Sequence, residues 1–207
     1  MKKIILLFLL VGSCFPANAQ FFRAGIVAGA NFSQIDGDDA SGFYKVGMNT
    51  GFTVSAMFNE RWALAMDILY SQRGSANAFN ADMYLDDFKI VTNYVEVPFA
   101  VQYHDRNGMI FGGGLSISRL LLSQFYQTGV PIDSYFQDRP AREMDYSAFL
   151  EFAYPLSNHL LAQLRYSYSV RSFQEGIYSV NRNSITGQYH KVVALRFAYI
   201  FQAIKEK

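Results

Sequence analysis

Val193-Ala194-Leu195-Arg196-Phe197-Ala198-Tyr199-Ile200-Phe201 alternates large apolar residues at odd positions with mostly small or charged residues at even ones. The preceding segment repeats the rhythm. Ala162, Leu164, Tyr166, Tyr168 and Val170 alternate with Gln163, Arg165, Ser167 and Ser169. A β-strand sends successive side chains to opposite faces, so each segment has one greasy face and one small or polar face. Working outward, the pattern predicts eight strands: Phe22 to Phe32, Val46 to Phe58, Trp62 to Gln72, Asn93 to His104, Met109 to Leu120, Asp145 to Leu156, His159 to Val170 and Lys191 to Phe201.

The connections alternate in length. Asn59-Glu60-Arg61, Asp105-Arg106-Asn107-Gly108 and Ser157-Asn158 are tight turns of typical turn residues. Long polar stretches fall near Ser33–Lys45, Arg73–Thr92, Leu121–Met144 and Arg171–Tyr189, and the third of these carries Pro131 and Pro140. Short turns at one rim and long loops at the other are the pattern of a transmembrane barrel. The fold predicted is all-β: one eight-stranded, antiparallel, up-and-down transmembrane β-barrel.

The N-terminus supports export. Lys2 and Lys3 precede the apolar stretch Ile4 to Val11, and Ala17-Asn18-Ala19 offers a small-x-small cleavage site before Gln20. Residues 1–19 are therefore predicted to be a signal peptide and residues 20–207 the barrel domain, with the cell outer membrane as destination. Lipidation at Cys14, the only cysteine, is the rival processing route. Cleavage at Gln20 would leave no cysteine for disulfides or thiolate metal sites. With a formal net charge of +1, the chain carries no basic surplus that would suit nucleic acid. Charged residues make up 17% of it, below the ~25% usual for a soluble domain, while Phe and Tyr number 19 and 14.

The polar face decides which side looks inward. A soluble lipocalin-like carrier would line its outside with Lys and Glu. Here that face is built from Gly25, Gly29, Asn31, Gly47, Asn49, Gly51, Thr53 and Ser55, small enough for a narrow lumen. It also carries Arg23, Asp67, Glu96, Glu151, Arg165 and Arg196, three bases and three acids without a lysine. A balanced, arginine-based set suits a paired interior network that plugs the barrel. The pattern places Arg23 beside Arg196 where the first and last strands meet. On the opposite face Trp62, Tyr70 and Tyr103 fall at strand ends, where a membrane interface favours amphipathic rings.

Four segments resemble the PorT-like outer-membrane β-barrel proteins of Bacteroidetes: Gly25-Ile26-Val27-Ala28-Gly29-Ala30-Asn31-Phe32-Ser33, Leu69-Tyr70-Ser71-Gln72-Arg73-Gly74, Tyr94-Val95-Glu96-Val97-Pro98 and Arg165-Tyr166-Ser167-Tyr168. The resemblance implies an eight-stranded outer-membrane barrel without catalytic residues. One member is linked to protein secretion, a role that nothing in these residues transfers. The tail Gln202 to Lys207 departs from barrels that end on an aromatic residue.

No catalytic, cofactor or metal site is expected. A rim-sited lipid hydrolase would need His190 together with Ser184 and Glu175, which no spacing fixes. Asp36-Gly37-Asp38-Asp39 and Asp82, Asp86 and Asp87 read as solvated loop charge, and Gly112-Gly113-Gly114 as strand packing. The partners expected are outer-membrane lipid and an unidentified protein, not nucleic acid. The function expected is that of a structural or interaction barrel working through its long loops or its periplasmic rim.

Overall fold

The structure, a computed structural model, describes residues 22–38, 42–77, 88–132, 134–138, 140–179 and 184–203. The signal segment, Cys14, Asp39, Asp82, Asp86 and Asp87 lie outside the described residues. The strands are β1 (Phe22–Asp36), β2 (Lys45–Met57), β3 (Trp62–Ala76), β4 (Phe88–His104), β5 (Ile110–Gln127), β6 (Val130–Pro131), β7 (Met144–Pro155), β8 (Leu160–Ser169), β9 (Gln174–Ser179) and β10 (Ser184–Ile200). One short helix, α1 (Ser134–Asp138), follows β6.

Each barrel strand pairs antiparallel with its neighbour in the order β1-β2-β3-β4-β5-β7-β8-β10. The sheet closes where β1 meets β10, in a register running from Gly25↔Ile200 to Asp36↔Tyr189. This is a closed eight-stranded antiparallel barrel. β6 and β9 are short additions that pair with β5 and β10 beyond the wall. The β2–β3, β4–β5 and β7–β8 connections are the short ones, and all lie at the end where β1 begins and β10 finishes.

Outside, the wall is apolar. Phe52, Leu64, Ile68, Phe99, Leu115, Leu150, Leu164, Leu195 and Phe197 are all exposed there. On β1 the outward apolar run extends from Phe22 to Phe32, and Gln34 follows. Ten steps of ~3.4 Å at a tilt of about 40° give a band roughly 25 Å tall, the hydrocarbon height that such barrels cover. Trp62 packs edge-on against Tyr103, with centroids 5.2 Å apart, at the short-turn border of this band. Tyr70 is not at a strand end, because β3 continues to Ala76.

The strands run further at the long-loop end than the alternation predicted, and the interior explains why. Above its charged middle the lumen gains apolar side chains beside Ser75, Thr92 and Gln188. Ile35, Ile90 and Phe173 are buried together, with Phe88, Phe125, Tyr135 and Phe136 packed on them. Tyr135 of α1 stacks on Phe125 at 4.2 Å. With apolar residues now facing in, the apolar-out pattern fades near Phe32 and Asn93. On β5 a bulge between the Asn93↔Leu122 and Tyr94↔Leu120 pairs inserts Leu121 and breaks the alternation at Leu120.

Candidate functional site

The candidate site is the interior itself, where two ion-paired clusters are stacked along the barrel axis. In the one nearer the short turns, Glu151 and Arg165 are direct neighbours across β7 and β8. Arg165 Nη2 lies 2.6 Å from Glu151 Oε2 and 2.9 Å from Asp67 Oδ2. Arg165 Nε also donates to Glu151 Oε2 at 3.0 Å. Arg196 approaches the same two carboxylates from β10, at 3.4 Å from Asp67 and 3.6 Å from Glu151. Gln102 Nε2 donates to the remaining Glu151 oxygen at 2.8 Å. The Arg165 guanidinium sits 4.3 Å over the Phe149 ring, which also faces in.

Two backbone features make room for this cluster. Gly112 faces Glu151, and a Cβ there would stand 2.9 Å from both Cγ and Oε1. Pro98, which has no N–H to give to the ladder, interrupts the β3–β4 pairing between Met66↔Phe99 and Leu69↔Glu96, beside Asp67.

The second cluster centres on Arg73, of which 1% is exposed. Arg73 Nη2 lies 2.5 Å from Glu96 Oε2, and Nη1 lies 3.0 Å from Asp145 Oδ2. Its Nε donates to Ser71 Oγ at 3.1 Å. Asn31 Nδ2 also donates to Ser71, and Asn49 Nδ2 donates to Asn31 Oδ1. The Tyr94 ring lies beneath the guanidinium at 5.2 Å. Glu96 is within electrostatic reach of Arg165, so the clusters join. Three arginines thus face four carboxylates, every one of them buried.

Five of the six charges singled out in the sequence meet here: Asp67, Glu96, Glu151, Arg165 and Arg196. Arg23 does not. It sits half-buried at the short-turn rim, among Thr53, Ser55, Gln102 and His104. Its expected closeness to Arg196 also fails, because Arg196 pairs with Gly29, six residues further along β1. The sequence reading missed Arg73 and Asp145. Arg73 falls in the long polar stretch Arg73–Thr92, although the small inward run Ser71-x-Arg73-x-Ser75 continues the period of β3. Gly74, at φ +143, takes a conformation that few other residues adopt, and a Cβ there would strike the Ile90 carbonyl.

His190 also departs from expectation. It lies inside, 1% exposed, rather than on the outer rim. Tyr94 OH and His190 Nε2 share a hydrogen bond of 3.2 Å, and Phe173 stacks on the ring at 4.2 Å. Ser184 opens β10 and Glu175 lies on β9, so a hydrolase at the open rim loses its base. His104 and His159 stand at the short-turn end, and His159 Nδ1 lies 2.9 Å from the Ile200 carbonyl. Among the described residues, no cluster of His, Cys, Asp or Glu could hold a metal ion. Asp36 instead pairs with Lys191 at 3.1 Å. Chemically, the interior sets each buried carboxylate of the two clusters against an arginine.

Residues 17–175 match a protein family described as "Outer membrane protein beta-barrel domain". Among solved structures, the attachment invasion locus protein Ail of Yersinia pestis has a TM-score of 0.50 at 13% identity, covering 86% of this chain and 98% of that one. Neisserial surface protein A gives 0.48 at 10% identity, covering 86% and 96%. OprG from Pseudomonas aeruginosa gives 0.39 at 17% identity, covering 88% and 95%. No curated protein sequence matches the chain.

Proposed function

The chain belongs to the outer membrane protein beta-barrel domain family, and from that premise we propose that it is a closed, non-conducting and non-catalytic barrel that works as an interaction platform at its loop-bearing end. The observation that carries this reading is the set of buried ion pairs and aromatic rings across the interior, in a barrel whose eight strands leave room for little but side chains. The binding chemistry then falls to the surface, and the long connections all lie at one end. Export through a signal cleaved after Ala19 is part of the same reading. So is membership of the PorT-like group, supported by the four motifs quoted above, each of which supplies interior residues: Asn31, Ser71 and Arg73, Tyr94 and Glu96, and Arg165.

Planar-bilayer recording tests the closed state. Folded protein added to a bilayer is expected to give no stable porin-sized current steps. Steady open-channel currents would overturn the proposal.

A further inference from the structure

The short-turn mouth of the barrel holds a polar chamber that the ion-pair clusters do not use. Six side chains from four strands converge there: Arg23, Thr53, Ser55, Gln102, His104 and Gln163. Gln102 is committed to Glu151 above it, so the chamber floor is the underside of the charged network. Ile110, Leu161 and Ile200 complete the wall and belong to a buried apolar cluster, which lowers the local dielectric and strengthens any charge interaction inside.

Three features point to a ligand. Arg23 is the one arginine facing the lumen that has no ion pair with a described carboxylate, while Arg73, Arg165 and Arg196 all do. His104 Nε2 is buried without a hydrogen-bond partner among the described residues, and in the tautomer protonated there it donates into the chamber. A buried polar atom left unpaired costs about 1–3 kcal/mol, which a bound hydrogen-bonding group would recover. Finally, the cavity measures about 30 Å³. One water needs about 10–15 Å³ on this scale, so the space takes two or three heavy atoms. That is the size of a carboxylate group, and an arginine fork with hydroxyl and imidazole groups beside it matches its planar oxygens.

We propose that this mouth is a carboxylate-binding site, with Arg23 supplying the charge and Thr53, Ser55 and His104 the neutral hydrogen bonds. The site lies at the opposite end from the proposed interaction surface and stands independently of it. The carboxylate could come from a free small acid or from the C-terminus of a peptide chain, and both present the same planar group.

The test is NMR of the full chain folded in detergent micelles, following the His104 ring resonances, which the His104→Gln variant assigns. Acetate, the tripeptide Ala-Ala-Ala and its C-terminal amide are titrated at constant ionic strength against chloride. Acetate is expected to shift His104 saturably, while chloride and the amide are not. Tripeptide saturating at lower concentration than acetate identifies a chain terminus as the ligand; acetate alone identifies a small acid. Arg23→Gln should raise the half-saturating acetate concentration at least tenfold, and Arg119→Gln, on the outer wall, should leave it unchanged. Should Arg23→Gln fail to show the folded band on unboiled gels, the Thr53→Val/Ser55→Ala pair replaces it, with an expected threefold weakening. A wild-type chain without a saturable shift, or variants that bind acetate as the wild type does, would overturn the proposal.

Discussion

Glu96→Ala tests the interior network most sharply, because the structure sets both the size of the effect and its rank. Glu96 and Arg73 are buried, with side chains 5% and 1% exposed and oxygen to nitrogen at 2.5 Å. Removing one partner of a buried pair costs about 3–5 kcal/mol, since the other charge stays in a dry interior without compensation. Arg73 keeps Asp145 at 3.0 Å and the Ser71 hydroxyl at 3.1 Å, which puts Glu96→Ala near the lower bound. A loss of about 3 kcal/mol is roughly a hundredfold in the folding equilibrium. Arg165→Ala should cost more, about 5 kcal/mol, because Asp67 and Glu151 then keep Arg196 as their one paired cation among the described residues, at 3.4 and 3.6 Å. Glu60→Ala, in an exposed short turn, should stay within about 0.5 kcal/mol of the parent. Reversible urea unfolding in lipid vesicles, read from Trp62 fluorescence, measures all three. Should Glu96→Ala and Glu60→Ala unfold at the same urea concentration, the network does not hold the barrel together.

Gly112→Val should push the Glu151 carboxylate off Gln102 and Arg165 and lower stability by about 1–3 kcal/mol in the same assay. Leu150→Arg puts a charge on the outer wall at a residue 71% exposed, and membrane insertion followed by urea unfolding should show a loss of about 2–4 kcal/mol. Tyr94→Phe removes the partner of His190 Nε2 and should cost about 1–3 kcal/mol, read from the urea midpoint. His190→Gln should leave the lipid composition of the producing cells unchanged by mass spectrometry, because the ring is sealed inside.

The sequence was most legible where the physical rule is simplest. In the membrane-spanning middle, lipid outside and a narrow polar lumen inside force strict alternation, and β8 and the second half of β10 could be read residue by residue. Five interior charges followed from the same parity. Legibility ended where the surroundings of the chain change. Above Arg73 the outward positions of β3 turn polar or small at Gln72 and Gly74, while Ile35, Ile90 and Phe173 enter the lumen beside Ser75 and Thr92, so the strand ends were set too early. Arg73 itself was lost in that transition, although it anchors one of the two clusters. Arg23 failed for the opposite reason. It has the right parity, but parity carries no depth, and its place near the start of β1 puts it at the rim rather than in the ion-paired middle. Depth depends on strand stagger, and here it emerges only from the β1–β10 register.

The central claim is that the apolar face of this closed barrel meets lipid while the charged face is enclosed. Depth-resolved quenching by brominated lipids tests it directly. Trp62, the only tryptophan, lies at the short-turn border of the outer band, and Phe197 lies near its middle, paired with Ala28. In reconstituted membranes Trp62 should be quenched most by bromine near the headgroups. In the Trp62→Phe/Phe197→Trp chain, quenching should be strongest with bromine deep in the acyl region. If the tryptophan at position 197 escaped acyl-chain bromine but were quenched by a water-soluble agent, the face assigned to lipid would be the wrong one.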